Sequence, residues 1–189
     1  MKNDLDLVKK CQNGDKESFG LLYDKYIEKI YSFVYCKTHH KETAEDIVAK
    51  VFMKAINKID TFKEGSGTFQ AWLYMIARNT VIDHYRTEKK DANIDDFFDL
   101  DSNDDIVRDT DIKIKLEKVE KYLHILKSEQ RDILIMRFWQ DMSFAEIAQV
   151  IGKSEGACKM NLARTLKKLR EEMPADMFIY LLLVGGLIR

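Results

Sequence analysis

A strongly acidic stretch, "DANIDDFFDLDSNDDIVRDTDI" at residues 91–112, most constrains how this chain can fold. It holds nine acidic residues and one basic residue, and its few apolar residues follow no helical or strand period. Like-charge repulsion without an apolar face to bury predicts a segment that does not fold alone. We therefore expect a linker, which separates a domain at residues 1–90 from a second domain at 113–174 and an apolar tail at 175–189.

The remaining sequence predicts an all-α protein. Apolar residues recur at helical spacing, no convincing alternating stretch is present, and the chain has eight glycines and a single proline. The predicted helices of the first domain span residues 4–13, 16–39, 43–60 and 68–90, and those of the second span 113–126, 128–139, 143–151 and 154–173. Thr43 with Asp46 and Ser143 with Glu146 predict capping boxes, and Ser128 and Ser154 predict N-caps.

Charge and cysteine usage narrow the class of function. The net charge of -1 conceals two basic domains, because residues 1–90 carry 16 basic and 13 acidic residues and residues 113–189 carry 14 and ten. Three widely separated cysteines favour a reducing cytoplasm without disulfides. Cys36 with His39 and His40 lacks a second ligand cluster, so no metal site is predicted. The sequence contains no nucleophile–base pattern or phosphate loop, so neither an enzyme nor a cofactor is expected.

The segment at residues 142–170, "MSFAEIAQVIGKSEGACKMNLARTLKKLR", has helix-turn-helix spacing. Ile147 and Ile151 lie four residues apart and share a helix face. Ala148 is small enough to let a second helix cross closely, and Gly152 tolerates the positive φ of a tight turn. This order of residues predicts a module that binds duplex DNA.

The helix after the turn is amphipathic, and its outward face is cationic. Its predicted inward stripe consists of Cys158, Leu162, Thr165, Leu166 and Leu169. A solvated Lys/Arg face would explain the charge alone, but the turn spacing favours DNA binding. We expect base-edge contacts from Glu155, Lys159, Met160 and Ala163, and phosphate contacts from Arg164, Lys167 and Lys168.

A second surface is predicted on the helix at residues 68–90. Its apolar stripe consists of Phe69, Trp72, Leu73, Ile76 and Thr80. The opposite side interleaves aromatic and cationic residues, which would stack unpaired bases and hold phosphates; these are Tyr74, Arg78, Tyr85 and Lys89 with Ile82, and with Asn79 and Arg86 at the edge. The alternative is that the tyrosines simply pack against a neighbouring helix.

Three segments resemble the bacterial RNA polymerase sigma factors, specifically the small extracytoplasmic-function group that keeps only regions 2 and 4. "AEDIVAKVFMKAINKIDTF" at 44–62 is similar to region 2.2, and "GTFQAWLYMIARNTVIDHYR" at 67–86 is similar to regions 2.3 and 2.4. "LKSEQRDILIMRFWQDMSFAEIAQVIGKSEGACKMNLARTLKKLRE" at 126–171 is similar to region 4. The resemblance covers residues 7–172, and the three segments together are far more specific than a helix-turn-helix alone.

The resemblance implies a transcription-initiation subunit that does no covalent chemistry and directs core RNA polymerase to promoter DNA. Region 4 would read the minus-35 element and grip the polymerase flap, while region 2 would dock on the clamp coiled coil and help to open the minus-10 element. An extruded minus-10 base would be held by a pocket. The implied pocket residues are Phe62, Lys63, Glu64, Ser66, Gly67 and Phe69, with Asn79 beside them.

The resemblance also implies where the polymerase and other partners bind. Ala49 and Lys50 stand where relatives commonly carry Gln and Glu, so the clamp contact is expected to rest on Asp46 and on the apolar neighbours Val51 and Phe52. The acidic linker would thread the template and RNA-exit channels of polymerase, although a solvated spacer would have the same composition. An anti-sigma protein is a further implied partner.

Two alternatives stay open from the sequence. The apolar run "MFIYLLLVGGLI" at residues 177–188 is shorter than the roughly 20 residues that span a bilayer, so packing or partner contact is favoured over membrane contact. The main alternative function is a dimeric helix-turn-helix regulator, which would bind a palindromic operator unaided. A sigma factor would instead bind promoter DNA strongly only together with core polymerase.

Overall fold

The computed structural model describes residues 3–88, 122–123 and 125–184. All regular structure in these ranges is helical, which confirms the predicted fold class. The chain divides into two compact units, Met1–Asp91 and Ala92–Arg189. The predicted linker at 91–112 and most of the predicted helix at 113–126 lie outside the described residues.

The first unit is a helical bundle. Its helices are α1 (Asp4–Gln12), α2 (Lys16–Thr38), α3 (Lys41–Lys58) and α4 (Phe69–Glu88), with a single 3-10 turn at Ile59–Thr61 after α3. Helix α3 packs against both α2 and α4, and α1 packs against α2. The core between them is apolar and fully enclosed at Ile30, Phe33, Ile47, Val51 and Leu73.

Helix α3 begins two residues earlier than predicted, and the predicted Thr43–Asp46 capping box is wrong. His40 has extended backbone geometry and occupies the N-cap position, where its Nδ1 accepts a hydrogen bond from the Thr43 amide at 3.3 Å. The imidazole of His40 therefore caps the helix, in place of the predicted Thr43 hydroxyl. The preceding residue, His39, ends α2 in the left-handed region with φ 49°.

The second unit contains α5 (Ser128–Phe138), α6 (Phe144–Ile151), α7 (Glu155–Glu172) and α8 (Ala175–Val184). The predicted Ser143–Glu146 capping box is confirmed, and so is the Ser154 N-cap, whose hydroxyl accepts from the Ala157 amide at 3.2 Å. The predicted Ser128 N-cap is wrong, because Ser128 is already the first residue of α5.

A buried arginine secures the chain that leads into α5. Arg131 is 2% exposed, and its Nε and Nη2 donate to the carbonyls of Leu123 and Leu126 at 3.0 and 2.9 Å. Carbonyls at the end of a helical segment need such donors when water cannot reach them. Arg131 thus fixes the direction in which the chain enters α5.

The apolar tail forms α8 over its described part, which includes residues 177–184 of the predicted run. Leu181 is buried where α8 packs on α7, whereas Ile179 and Leu183 are 52% and 53% exposed. Among the described residues, none of the helices combines the length and the hydrophobicity that a bilayer crossing requires.

Candidate nucleic-acid interfaces

The helix-turn-helix of the second unit is closed by local hydrogen bonds. Gly152 has φ 75°, and the amides of Gly152 and Lys153 both donate to the carbonyl of Ala148, at 2.9 and 3.1 Å. These two bonds provide donors for a carbonyl in the last turn of α6, and they direct the chain into α7. A positive φ in this range is the conformation that the sequence assigned to Gly152.

Helix α7 has the two faces that its sequence predicts. Cys158, Leu162, Thr165 and Leu169 are buried and Leu166 is half-buried. On the opposite side Met160 is 55% exposed. The other predicted contact residues that are exposed are Glu155, Lys159, Ala163, Arg164 and Lys167. The exposed face thus combines small, apolar and cationic side chains.

Lys168 differs from the other predicted phosphate-binding residues. It is half-buried, and its ammonium group donates to the backbone carbonyl of Ile125. Because a phosphate contact would have to compete with this bond, Lys168 is less available than Lys167. The helical period places Lys167 opposite the inward stripe and Lys168 on its flank, but it could not show that the Ile125 carbonyl engages Lys168.

A single carboxylate ties the scaffold helix α5 to the turn and to α7. Glu129 accepts a hydrogen bond from the Lys153 ammonium at 2.7 Å and from the Asn161 side-chain amide at 3.0 Å. This carboxylate also contributes to raising the pKa of the Cys158 thiol, although burial is the larger cause. Glu129 is a site residue that the sequence analysis did not identify.

Two cations flank the ring of Phe144, the first residue of α6. The Arg137 guanidinium and the Lys159 ammonium lie 5.3 and 5.6 Å from its centroid. Arg137 also donates to the carbonyl of Met142 at 3.0 Å. Arg137 therefore adds positive charge from α5 beside the cationic face of α7, which extends the candidate phosphate-binding surface beyond one helix.

In the first unit, the loop between the 3-10 turn and α4 is held at both ends by an aromatic cluster. The Phe62 ring meets the Phe69 and Trp72 rings edge-on, with centroids 6.1 and 5.8 Å apart, and Tyr26 meets Phe69 at 5.6 Å. Phe62 and Phe69 are 6% and 4% exposed. They anchor the loop from the core and offer little surface to a base.

The middle of the loop is exposed. Gly65 and Gly67 have φ of 84° and 119°, which lets the chain bend sharply between the two aromatic anchors. The predicted pocket residues on this part of the loop, all exposed, are Lys63, Glu64, Ser66 and Gly67. The Lys9 ammonium lies 2.8 Å from the Glu64 carboxylate, but both side chains are more than half exposed.

The predicted base-stacking face of α4 is wrong at Tyr74, one of its two aromatic residues. Tyr74 is fully buried and meets the Phe33 ring edge-on at 5.2 Å, and burial raises the pKa of its phenol well above the ordinary value. Tyr85 is half-buried and donates its hydroxyl hydrogen to the Lys37 carbonyl at 3.0 Å. The alternative of tyrosines packing against a neighbouring helix therefore describes both residues, because α2 covers this side of α4.

The remaining residues of the predicted α4 face divide into three groups. Asn79 and Arg86 are exposed, while Arg78 is half-buried. Lys89 lies outside the described residues. Ile76, which the sequence placed in the core stripe, is half-buried.

A polar groove of about 360 Å³ lies between α3 and α4, on the side of α4 that carries Asn79. It is lined by Lys54, Lys58, Ile76, Asn79, Thr80, Ile82, Asp83 and Arg86. Lys54 donates to the Thr80 hydroxyl at 3.1 Å and lies 3.6 Å from the Asp83 carboxylate. Three cationic residues against one carboxylate leave the groove with a positive balance, which suits a phosphate-bearing strand.

Sequence analysis missed the two lysines that α3 contributes to this groove. Lys54 and Lys58 lie four residues apart, so they share one helix face. This spacing was a usable signal, but the sequence did not show that Asn79 and Arg86 on α4 would face the same groove. The groove depends on packing between α3 and α4, which their separate periodicities do not reveal.

The outer face of α3 carries the predicted polymerase contacts, with one correction. Asp46, Ala49 and Lys50 are exposed. Val51 and Phe52 are 0% and 6% exposed and belong to the core, so the expectation that they support the clamp contact is wrong. Met53 and Ile56, which are 61% and 36% exposed, are the apolar residues that this face presents.

Over the residues that the structure describes, no group of three or more potential ligand side chains could hold a metal ion. The candidate interfaces consist instead of a capped amphipathic helix in one unit and an exposed loop beside a cationic groove in the other. Together they define a helical, nucleic-acid-binding class of protein with two different binding surfaces.

Comparison with known proteins agrees with this class and makes it specific. Residues 22–91 match the family model for Sigma-70 region 2, and residues 116–169 match the model for Sigma-70 region 4. The chain belongs to the sigma-70 family of RNA polymerase sigma factors, in the extracytoplasmic-function group. The resemblance inferred from the three sequence segments is thereby confirmed.

Two curated relatives and one solved structure illustrate the likeness. The chain is 33% identical to the sigma factor BldN of Streptomyces coelicolor over 91% of its own length and 66% of BldN. It is also 33% identical to the sigma factor SigX of Bacillus subtilis, over 84% of each chain. The structure of CnrH in complex with the cytosolic domain of CnrY has a TM-score of 0.70 at 22% identity, covers 92% of this chain and 98% of that one, and shows the fold.

These findings support an alternative sigma factor that directs transcription initiation, and not the dimeric regulator. Proteins of this family are transcription-initiation factors. Core RNA polymerase and promoter DNA are the partners that follow from the family.

Proposed function

We propose that the two units read different forms of promoter DNA, with α7 on the duplex minus-35 element and the loop and groove of the first unit on the opened minus-10 element. The observation that carries this division is the contrast between the two surfaces. One is a continuous convex helix face, which suits a major groove. The other is a recessed cationic groove beside an exposed loop, which suits a displaced single strand.

On α7, Glu155, Lys159, Met160 and Ala163 are proposed to approach base edges, with Arg164 and Lys167 on phosphates. The first group lies near the start of the helix, the part that enters the major groove in helix-turn-helix proteins. Arg137 joins the phosphate-binding residues, because its guanidinium lies beside the same surface. Lys168 contributes less than Lys167, since its ammonium is engaged by the Ile125 carbonyl.

In the first unit, the displaced strand is proposed to run along the α3–α4 groove and past the exposed loop. Lys54, Lys58 and Arg86 would hold its phosphates, and the amide of Asn79 would read a base. Lys63 and Ser66 on the loop would border an extruded base, while Phe62 and Phe69 support the loop from below. Unstacking a base costs a few kcal/mol, which these contacts must offset.

The outer face of α3 is proposed to dock on the clamp coiled coil of polymerase. Asp46, Ala49 and Lys50 provide its polar part, and Met53 provides the apolar anchor that Val51 and Phe52 cannot. A large exposed methionine among polar neighbours is typical of a binding surface. The second unit would contact the polymerase flap.

Further parts of this proposal concern partners and place of action. We propose an anti-sigma protein as a further partner, as the resemblance to the family implies. Its proposed action on polymerase would take place in the cytoplasm. The acidic linker would occupy polymerase channels, and replacing its aspartates by asparagine should then alter initiation or promoter escape in vitro.

Run-off transcription with purified core polymerase and a genomic fragment library tests the proposal and yields the promoter sequence. The full chain should initiate only with core polymerase, and Lys58→Ala should weaken opening of the minus-10 element without affecting duplex minus-35 binding. Lys41→Ala is the matched control, because Lys41 is an exposed α3 lysine away from the groove, paired with Glu45 at 3.9 Å. Initiation without core polymerase dependence, or equal effects of both variants, would contradict the proposal.

A further inference from the structure

Helix α1 lies before residue 22, where the match to the region 2 family model begins. We propose that its last residue, Gln12, is a positioning residue. It would fix the loop between the 3-10 turn and α4 in the geometry that captures one preferred base of the displaced minus-10 strand. This inference rests on the proposed function, because it concerns the same loop. It goes beyond the proposed function because it assigns the geometry of that loop to a side chain about 50 residues away in sequence.

The evidence is a pair of hydrogen bonds from one amide group. The Nε2 of Gln12 donates to the carbonyl of Ile59 and to the carbonyl of Phe62, both at 2.9 Å. These carbonyls stand at the two ends of the 3-10 turn that leads into the loop. Because both amide hydrogens are used, the side chain fixes the separation and direction of two main-chain groups at once.

Helix α1 provides a firm support for this contact. Leu7 and Val8 are buried, and they hold α1 against the bundle. At its other end the Asp4 carboxylate accepts hydrogen bonds from the Tyr26 hydroxyl and the Lys25 ammonium on α2. The helix is therefore anchored to α2 near its start and to the 3-10 turn at its end, so that Gln12 connects the bundle to the loop.

Helix α1 also contacts the loop through the ion pair between Lys9 and Glu64. Both partners are more than half exposed, and exposed pairs stabilise little. The Gln12 bonds are partly buried. The Ile59 carbonyl would keep the Phe62 amide as a donor without Gln12, so the cost of losing a buried hydrogen bond falls mainly on the Phe62 carbonyl. Gln12 is consequently the contact on α1 whose loss should move the start of the loop, and with it Lys63 and Ser66.

The test compares Gln12→Met with Gln12→Lys in the full chain bound to core polymerase. Methionine keeps the length and removes both donors, whereas lysine restores donors that can reach two carbonyls. The readout is the ratio of affinities for forked promoter DNA carrying the preferred base, or each other base, at the captured minus-10 position. We expect Gln12→Met to reduce this ratio by about tenfold and Gln12→Lys to restore most of it.

Two measurements separate positioning from general support of the fold. Core-polymerase affinity uses α3 in the same unit and should stay unchanged in Gln12→Met, whereas a merely structural role would lower it together with binding to every base. In the free protein, hydrogen exchange at the Phe62 amide, which donates to the Ile59 carbonyl at 3.1 Å, should accelerate in Gln12→Met and recover in Gln12→Lys.

Three results would overturn the inference. Base selectivity that survives Gln12→Met while wild type is selective would remove the positioning role and leave the proposed function standing. A uniform loss of affinity for all bases and for core polymerase would assign Gln12 to the fold alone. A wild-type complex that shows no base selectivity would instead contradict the proposed strand capture itself, and the positioning role with it.

Discussion

The two candidate DNA-binding surfaces are built in different ways. Most of the α7 surface belongs to one capped helix, whose exposed face follows directly from its own sequence period, and α5 adds only Arg137 at its edge. The first-unit surface combines the groove between α3 and α4, the loop between them and a contact from α1. A surface on one element can be altered locally, whereas an assembled surface depends on packing between residues far apart in the chain.

The largest effect that tests this comparison is expected at Tyr74. Truncating Tyr74→Ala should lower the free energy of unfolding of the first unit by about 3–5 kcal/mol, because a fully buried aromatic side chain is lost. Chemical denaturation monitored in the first unit measures this, with Tyr23→Ala as control, since Tyr23 is 41% exposed. A stable Tyr74→Ala variant that loses only strand binding would restore the stacking interpretation.

This residue also shows why sequence reasoning succeeded in one unit and failed in part of the other. The faces of α7 needed only its own 3.6-residue period, because the helix packs on its scaffold along one stripe. On α4, Tyr74 lies opposite the apolar stripe but is covered by α2, where it meets Phe33. A helix packed on two sides buries both of them, and its period cannot show which side faces solvent.

The same reason explains why the sequence predicted Val51 and Phe52 as the exposed apolar residues of α3, whereas the structure exposes Met53. Adjacent apolar residues point in different directions on a helix, and only the packing partners decide which one is exposed. Caps that use unusual side chains are equally hard to predict, as His40 shows. By contrast, the capping box at Ser143 and the turn at Gly152 are local, and the sequence specified both.

Two exposed methionines allow the functions of the two units to be tested separately, by replacing each methionine with a charged residue. Met53→Asp should weaken core-polymerase binding by about 2 kcal/mol, the scale of an interface hot spot, without altering duplex binding. Met160→Asp should do the reverse, because it places a carboxylate on the face proposed to approach DNA. Core-binding titrations and duplex-binding assays of both variants measure this. Equal losses in both assays would mean that the surfaces are not functionally separate.

The turn of the helix-turn-helix should be sensitive at one glycine and tolerant at another. Gly152→Val should destabilise the second unit by about 1–3 kcal/mol, because a β-branched residue is strained at φ 75°. Gly156→Ala is the matched control, since its Cβ would meet no atom within 4 Å and helix propensity improves. Thermal unfolding of the second unit distinguishes them, and similar transition temperatures would refute the strained turn.

A smaller effect separates two neighbouring lysines of α7. Lys167→Ala should weaken binding to all duplex sequences alike and reduce the slope of log affinity against log salt by about one. Lys168→Ala should change the slope less, because the Ile125 carbonyl already engages its ammonium group. Salt titrations of holoenzyme on duplex promoter DNA measure both slopes. A sequence-selective loss at Lys167 would indicate a base contact instead.

The smallest effect concerns Cys158, which lies on the buried face of α7. Burial and the nearby Glu129 carboxylate raise the pKa of its thiol above the ordinary value. The unfolded chain therefore releases the thiol proton first as pH rises, and the stability of the second unit should fall slightly above about pH 8.5. Unfolding of the wild type and Cys158→Val across alkaline pH, with α7 otherwise unchanged, isolates this component. A pH dependence that persists unchanged in Cys158→Val would assign it to other groups, and the buried face of α7 would then contribute nothing to the pH response of the second unit.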